Sequence, residues 1–131
     1  MRRRDIIQAL CGLLGLGAFA ARRAHATAPR EILLGGMHVA GTAYYDAEAA
    51  ADRLRPGQIL ALRREPENRF DALAIEVFGP EGHKLGYMPR GRNEMPARLM
   101  DAGKRLSARA ESVTQRGNWL NIQVSLYLDD A

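Results

Sequence analysis

From residue 27 onward the apolar positions come in short runs broken by turn-forming clusters. Ile32-Leu33-Leu34 runs through Gly35-Gly36 into Met37-His38-Val39-Ala40, which predicts a strand bent or bulged at its glycine pair. Asp46 then precedes the alanine-rich Ala47–Leu54, and Arg55-Pro56-Gly57 follows it, the order of a cap, a short helix and a stop. Gln58–Arg64 alternates Leu60 and Leu62 with shorter or polar neighbours, as a strand does. After the turn cluster Glu65–Asp71, Leu73, Ile75 and Val77 share one strand face, with Ala74, Glu76 and Phe78 opposite. Gly79-Pro80-Glu81-Gly82 returns the chain into Lys84–Met88, giving a hairpin. Asn93 stands where a cap is needed for a second helix, with Met95, Leu99 and Met100 on one face and Gly103 at its end. Leu106–Val113 and Trp119–Leu128 form a last hairpin closed by Arg116-Gly117-Asn118. Six one-faced strands and two short helices are best buried by curling the sheet on itself. The expectation is a mainly β fold, a small OB-like or SH3-like β-barrel of about six strands.

Residues 1–26 do not fit that barrel. Arg2, Arg3 and Arg4 open the chain, Ile6 to Ala21 is apolar and uncharged, and Ala24-His25-Ala26 has the small-x-small form of a cleavage site. The apolar run is shorter than the roughly 20 residues that span a bilayer, and Arg22-Arg23 follows it. This predicts an export signal cleaved after Ala26, and therefore a periplasmic or secreted protein without a stable membrane anchor. Arg3-Arg4-Asp5-Ile6-Ile7 also resembles the twin-arginine pattern. Residues 27–35 would then be a short leader and the start of the first strand, and residues 36–129 the domain.

Export changes the charge picture. The whole chain carries 19 basic and 15 acidic residues, for a net charge of +4. Five of the basic and one of the acidic residues precede Thr27, which leaves 14 of each. The high overall isoelectric point is therefore a property of the signal and says little about the domain's partner. The lone Cys11 also lies in the apolar run, so the domain has neither thiol chemistry nor a disulfide.

Catalytic groups are sparse beyond residue 26. His38 and His83 are the neutral-pH acid-base candidates. Ser107, Ser112 and Ser125 fall in or beside strands with no glycine elbow around them. No paired His or Cys motif offers a metal site, and no phosphate-cradling glycine loop with a following lysine is present, so no cofactor is expected. What stands out is a set of aromatic and polar residues at strand ends: Tyr44-Tyr45, then Asn68, Phe70 and Asp71, then Tyr87 and Arg90. Aromatic faces stack on bases and basic side chains hold phosphates. The same aromatics could equally fill the core or cover its edges.

Three segments carry a more specific signal: Val39–Tyr45, then Leu62-Arg63-Arg64-Glu65-Pro66-Glu67-Asn68-Arg69-Phe70-Asp71-Ala72-Leu73-Ala74-Ile75, then Lys84-Leu85-Gly86-Tyr87-Met88-Pro89-Arg90. In this order they resemble the HIRAN domain, which occurs in helicase-like DNA repair factors and alone in bacterial proteins. The resemblance implies an OB-like barrel that holds the 3′ end of single-stranded DNA. It makes Tyr44 and Phe70 stacking aromatics and puts Asn68 and Asp71 on the terminal nucleotide and its 3′-hydroxyl. Tyr87 and Arg90 would contact the last phosphates. Ala43 stands where the DNA-binding eukaryotic version has a basic residue, and Phe70 where it has a tyrosine. No helicase motor or zinc module accompanies the domain here, so the expectation is a binding module with no catalysis of its own. Export leaves two ligands open, extracellular or incoming DNA in the periplasm or another ligand such as a peptide or glycan in the same groove, and an envelope interaction protein is the alternative.

Overall fold

The computed structural model describes residues 30–130. The expected export signal and the leader up to residue 29 lie outside the described residues. The elements are β1 (Arg30–His38), α1 (Ala47–Ala50), β2 (Ile59–Arg64), β3 (Ile75–Phe78), β4 (Lys84–Tyr87), α2 (Glu94–Asp101), β5 (Arg105–Arg116) and β6 (Trp119–Asp130). The six strands form one sheet in the order β1-β6-β5-β2-β3-β4. The mainly β, OB-like architecture expected from the sequence is the one observed.

The sheet curls until its two ends meet. Just past β1, Ala40 pairs antiparallel with Tyr87 at the end of β4, through N–H···O bonds of 2.8 and 2.9 Å. This closure explains one glycine. A Cβ on Gly86 would lie 2.1 Å from the Ala40 carbonyl oxygen and 3.0 Å from a Val39 methyl, so only glycine lets the two strand ends approach.

The β5–β6 hairpin is the longest piece. Arg116 pairs with Trp119, leaving a two-residue loop in which Gly117 has φ 60°. A register shift between Ala110 and Ser112 changes the inward phase of β5, so that Ala108 and Ala110 before it and Val113 after it all pack on the core. Opposite them Leu120, Ile122, Val124 and Leu126 of β6 point inward without interruption. The larger part of the core joins Leu120, Ile122 and Val124 with Ala108 and Ala110 to Val39, Leu60, Val77 and Leu85. A smaller part beneath α2 contains Ile75, Met88, Ala97 and Leu126.

Local details depart from the sequence expectations. The first helix is a single turn, Ala47–Ala50, continued by a 3₁₀ turn to Arg53. Ala47 and Ala50 are fully buried, and the Asp46 side chain makes no capping bond. In α2 the inward residues are Pro96 and Ala97, with Met100 half-buried, while Met95 is 55% exposed. Leu73 precedes β3 rather than belonging to it, and Glu76, on the strand face opposite Ile75 and Val77, is only 4% exposed, with Arg63 and Lys84 paired to its carboxylate. In a buried strand, ion pairing has replaced solvent as the partner of that carboxylate. No described helix is long and apolar enough to cross a membrane.

Candidate functional site

The chain between β2 and β3 is shaped by one asparagine. Asn68 Oδ1 accepts the backbone N–H groups of Phe70 and Asp71, at 2.9 and 3.1 Å. This Asx-type turn pushes the Phe70 ring outward, where it is 79% exposed. Asn68 Nδ2 donates to Glu65 Oε1 at 3.0 Å, so most of the amide's bonding capacity is spent on the loop itself.

Arg64, at the end of β2, clamps the far side of the same loop. It donates to the carbonyls of Ala72 and Ala74, at 2.9 and 2.7 Å, and makes two bonds to the Asp101 carboxylate of α2. The loop is thereby tied to the sheet and to the helix.

A chain of polar contacts continues from Glu65 under the aromatic wall. The Tyr87 hydroxyl donates to Glu65 Oε2 at 2.7 Å and accepts from Lys84 Nζ at 2.8 Å. Lys84 Nζ also lies 3.2 Å from Glu76 Oε2, which shares its carboxylate with Arg63. The ammonium sits 4.4 and 4.3 Å from the ring centres of Tyr45 and Tyr87, themselves edge to face at 5.6 Å. The Tyr87 hydrogen bond, opposed by burial and aided by Asn68 and Lys84, holds the Glu65 carboxyl below its usual range. Burial of Tyr87 is the main reason its hydroxyl is pushed up, with Lys84 opposing and Glu65 adding. For Lys84 burial pulls downward, but Tyr87 and Glu76 outweigh it and raise the ammonium.

These elements surround a groove of about 270 Å³ lined by Ala40, Tyr45, Asn68, Phe70, Asp71, Ala74, Tyr87, Met88 and Arg90. Asp71 Oδ1 accepts the Leu73 N–H at 2.9 Å, Oδ2 accepts Asn93 Nδ2 at 2.8 Å, and Arg90 Nε stands 4.0 Å from Oδ2. The mostly buried Asp71 is pushed up by burial, but Asn93, the Leu73 N–H, Arg90 and Arg64 together bring it below its usual range. Its carboxylate is therefore an ionised acceptor beside an exposed guanidinium.

A second hollow of about 290 Å³ adjoins the first at Ala40 and is lined by His38 to Tyr44 and Trp119. Gly41, at φ 78°, turns the chain, and Thr42 Oγ1 donates to the Leu120 carbonyl at 2.6 Å, anchoring the 3₁₀ turn that presents Tyr44. Tyr44 is 85% and Trp119 42% exposed.

Of the residues singled out in the sequence, Asn68, Phe70, Asp71, Tyr87 and Arg90 come together in the first groove, and Tyr44 lies in the adjoining hollow. Tyr45, singled out with Tyr44 as an aromatic pair but given no role by the resemblance, lines the groove. Two further residues were not anticipated as part of the site. Trp119 precedes the inward series of β6, so alternation alone would have pointed its ring outward. Asn93 was expected to cap α2, but its side chain makes no capping bond and reaches Asp71 instead. Among the described residues the groove offers flat apolar surfaces, an anionic hydrogen-bond acceptor in Asp71 and an exposed guanidinium in Arg90. Among the described residues no group of His, Cys, Asp or Glu is placed to hold a metal ion.

The HIRAN domain model matches residues 33–129. A crystal structure of a protein from Lactobacillus plantarum superposes with a TM-score of 0.73 at 30% identity, covering 79% of this chain and 100% of that one. The crystal structure of the HIRAN domain of human HLTF gives 0.58 at 21% identity, over 76% of this chain and 78% of that one. The NMR structure of the HLTF HIRAN domain in its DNA-bound conformation gives 0.51 at 20%, over 74% and 78%. No curated protein matches.

Proposed function

The chain belongs to the HIRAN domain family, and on that premise we propose that its groove binds the 3′ end of single-stranded DNA without catalysing a reaction on it. The observation that carries this reading is the Asp71 carboxylate 4.0 Å from the exposed Arg90 guanidinium, in a groove also lined by Phe70, Tyr45 and Tyr87. A free 3′-hydroxyl donates a hydrogen bond to a carboxylate, whereas an internal phosphate in the same place is repelled. The terminal base stacks on Phe70, and Arg90 takes the phosphate on its 5′ side. The preceding nucleotide crosses Ala40 into the hollow between Tyr44 and Trp119, which the two cavities' shared wall supports. Each stacked base is worth about 1–3 kcal/mol. That the HLTF HIRAN domain has a DNA-bound conformation supports the ligand class.

The polar groups near the groove are largely committed to one another, so base identity has little to read it and binding should be indifferent to sequence. With 14 basic and 14 acidic residues beyond Ala26, long-range attraction is weak and the salt dependence shallow. The test is fluorescence anisotropy of a labelled short strand ending in a 3′-hydroxyl or a 3′-phosphate. Tighter binding of the hydroxyl, lost in Asp71→Ala, supports the reading; equal binding of the two ends refutes it.

We further propose that the protein is exported, on the strength of the basic start, apolar run and Ala24-His25-Ala26 site. Recovery from the periplasm or medium with Thr27 as the first residue is the expected result, and a cytoplasmic protein starting at Met1 would contradict it. Export also motivates a second reading, in which the same groove holds a ligand of the cell envelope. Capture of one envelope partner, with no affinity for any oligonucleotide, would favour it.

A further inference from the structure

Asn93 is buried to 1% exposure at the first turn of α2, where its side chain would ordinarily accept a backbone N–H of the helix. It does not. Its backbone carbonyl accepts the Ala97 N–H at 2.9 Å, while its Nδ2 donates to Asp71 Oδ2 at 2.8 Å. A buried amide that forgoes the cap of its own helix to reach a carboxylate in another loop has its orientation set by that carboxylate.

We propose that Asn93 is a positioning residue that holds Asp71 Oδ2 aimed into the groove and sets how far toward acid pH the protein can recognise a strand end. The inference rests on the reading of the groove as an end-binding site. Four groups face Asp71: Asn93 from the start of α2, Arg90 from the turn after β4, Arg64 from β2, and the Leu73 N–H from its own loop. Arg90 is 71% exposed and 4.0 Å away, and Arg64 is occupied by two carbonyls and Asp101. Asn93 is therefore the buried, directional side-chain donor among them. Without it, burial still disfavours the charged carboxylate while its main opponent is gone, so Asp71 protonates at higher pH. A protonated Asp71 no longer repels a terminal phosphate, and the preference for a hydroxyl collapses.

The experiment compares the parent with Asn93→Ala and Asn93→Ser. The serine keeps a hydroxyl able to cap α2, so that variant keeps its helix start, but it is too short to reach Asp71. Two quantities are followed from about pH 2 to pH 7.5, a range that extends to both sides of the ordinary aspartate value. One is the carboxyl ¹³C shift of Asp71; the other is the ratio of anisotropy-derived Kd values for 3′-phosphate and 3′-hydroxyl strands. In both variants the Asp71 titration should move up in pH, and the end preference should fall about tenfold on the scale of one charge-assisted hydrogen bond. The acid limb of that preference should move with it. A purely structural role would lower the melting temperature and leave both midpoints in place, which would overturn the inference. A parent with no end preference would overturn the end-binding reading as well, so the two failures are distinguishable.

Discussion

Replacing Gly86 with alanine asks whether the Ala40–Tyr87 joint closes the barrel. The new Cβ would lie 2.1 Å from the Ala40 carbonyl oxygen, so the strand ends must separate by more than 1 Å to reach ordinary contact. Separation breaks the pair of hydrogen bonds, 2.8 and 2.9 Å long, that join the ends. Each contributes about 0.5–1.5 kcal/mol net. Gly86 also has φ 157°, at the margin of the region L-residues avoid, which adds about 1 kcal/mol. The expected loss is therefore about 3 kcal/mol, a large share of the roughly 5–15 kcal/mol available to a small domain. For about 100 residues that lowers Tm by roughly 12–24 °C. Thermal unfolding followed by circular dichroism, paired with urea titration, measures it. The joint also separates the groove from the second hollow, so any Gly86→Ala protein that folds should bind strands more weakly. A variant within about 1 kcal/mol of the parent would show that the bridge is incidental and that the sheet closes by other means.

Phe70→Ala and Trp119→Ala should leave stability within about 0.5 kcal/mol, since both rings are exposed, yet each should cost about 1–3 kcal/mol in strand binding. Unfolding and anisotropy measured on the same samples separate the two effects. Arg64→Ala removes bonds to two loop carbonyls and to Asp101, and with the Arg64 side chain only 12% exposed it should destabilise by about 2–3 kcal/mol. The signature in hydrogen exchange is faster exchange at the Ala74 amide. Glu65 has its carboxyl held below the usual range when folded, so its contribution is complete above about pH 4.3 and is lost as pH falls through the lower folded value. Stability of the parent should therefore fall more steeply with acid than that of Glu65→Gln in urea unfolding at stepped pH.

Much of this fold was legible because β-structure writes its burial into a two-residue period. The inward series Leu120, Ile122, Val124, Leu126 fixes β6, and the turn residues Gly79-Pro80-Glu81-Gly82 and Gly117-Asn118 fix two hairpins. What period alone misses is a change of phase or partner. The register shift in β5 brings Val113 onto the core beside Ala110, and ion pairs from Arg63 and Lys84 partner a buried glutamate on the strand face opposite Ile75 and Val77. The α2 face read from Met95, Leu99 and Met100 is only partly the buried one: Met100 packs on the core, but the small Pro96 and Ala97 are buried and let the helix sit close, while Met95 is exposed.

The groove residues were found through ordered motifs, not from composition. Asn68, Phe70 and Asp71 are neighbours in one turn, and a turn cluster is visible in sequence. Asn93 was invisible for a physical reason. Its partner is 22 residues away, and an asparagine before a helix has a sufficient local explanation in capping. The choice between Tyr44 and Tyr45 depends on a 3₁₀ turn anchored by Thr42 to β6, a contact 78 residues distant along the chain.

The claim that the groove receives a strand end is tested most directly by a competitor without one. A labelled linear single strand is bound, then displaced with unlabelled strands of the same sequence, either linear or covalently closed into a circle. If Asp71 and Arg90 read a free terminus, the linear strand competes at its own Kd and the circle at least tenfold less effectively. Equal competition by the circle would mean that the aromatic hollows hold any single strand and that the carboxylate reads no end.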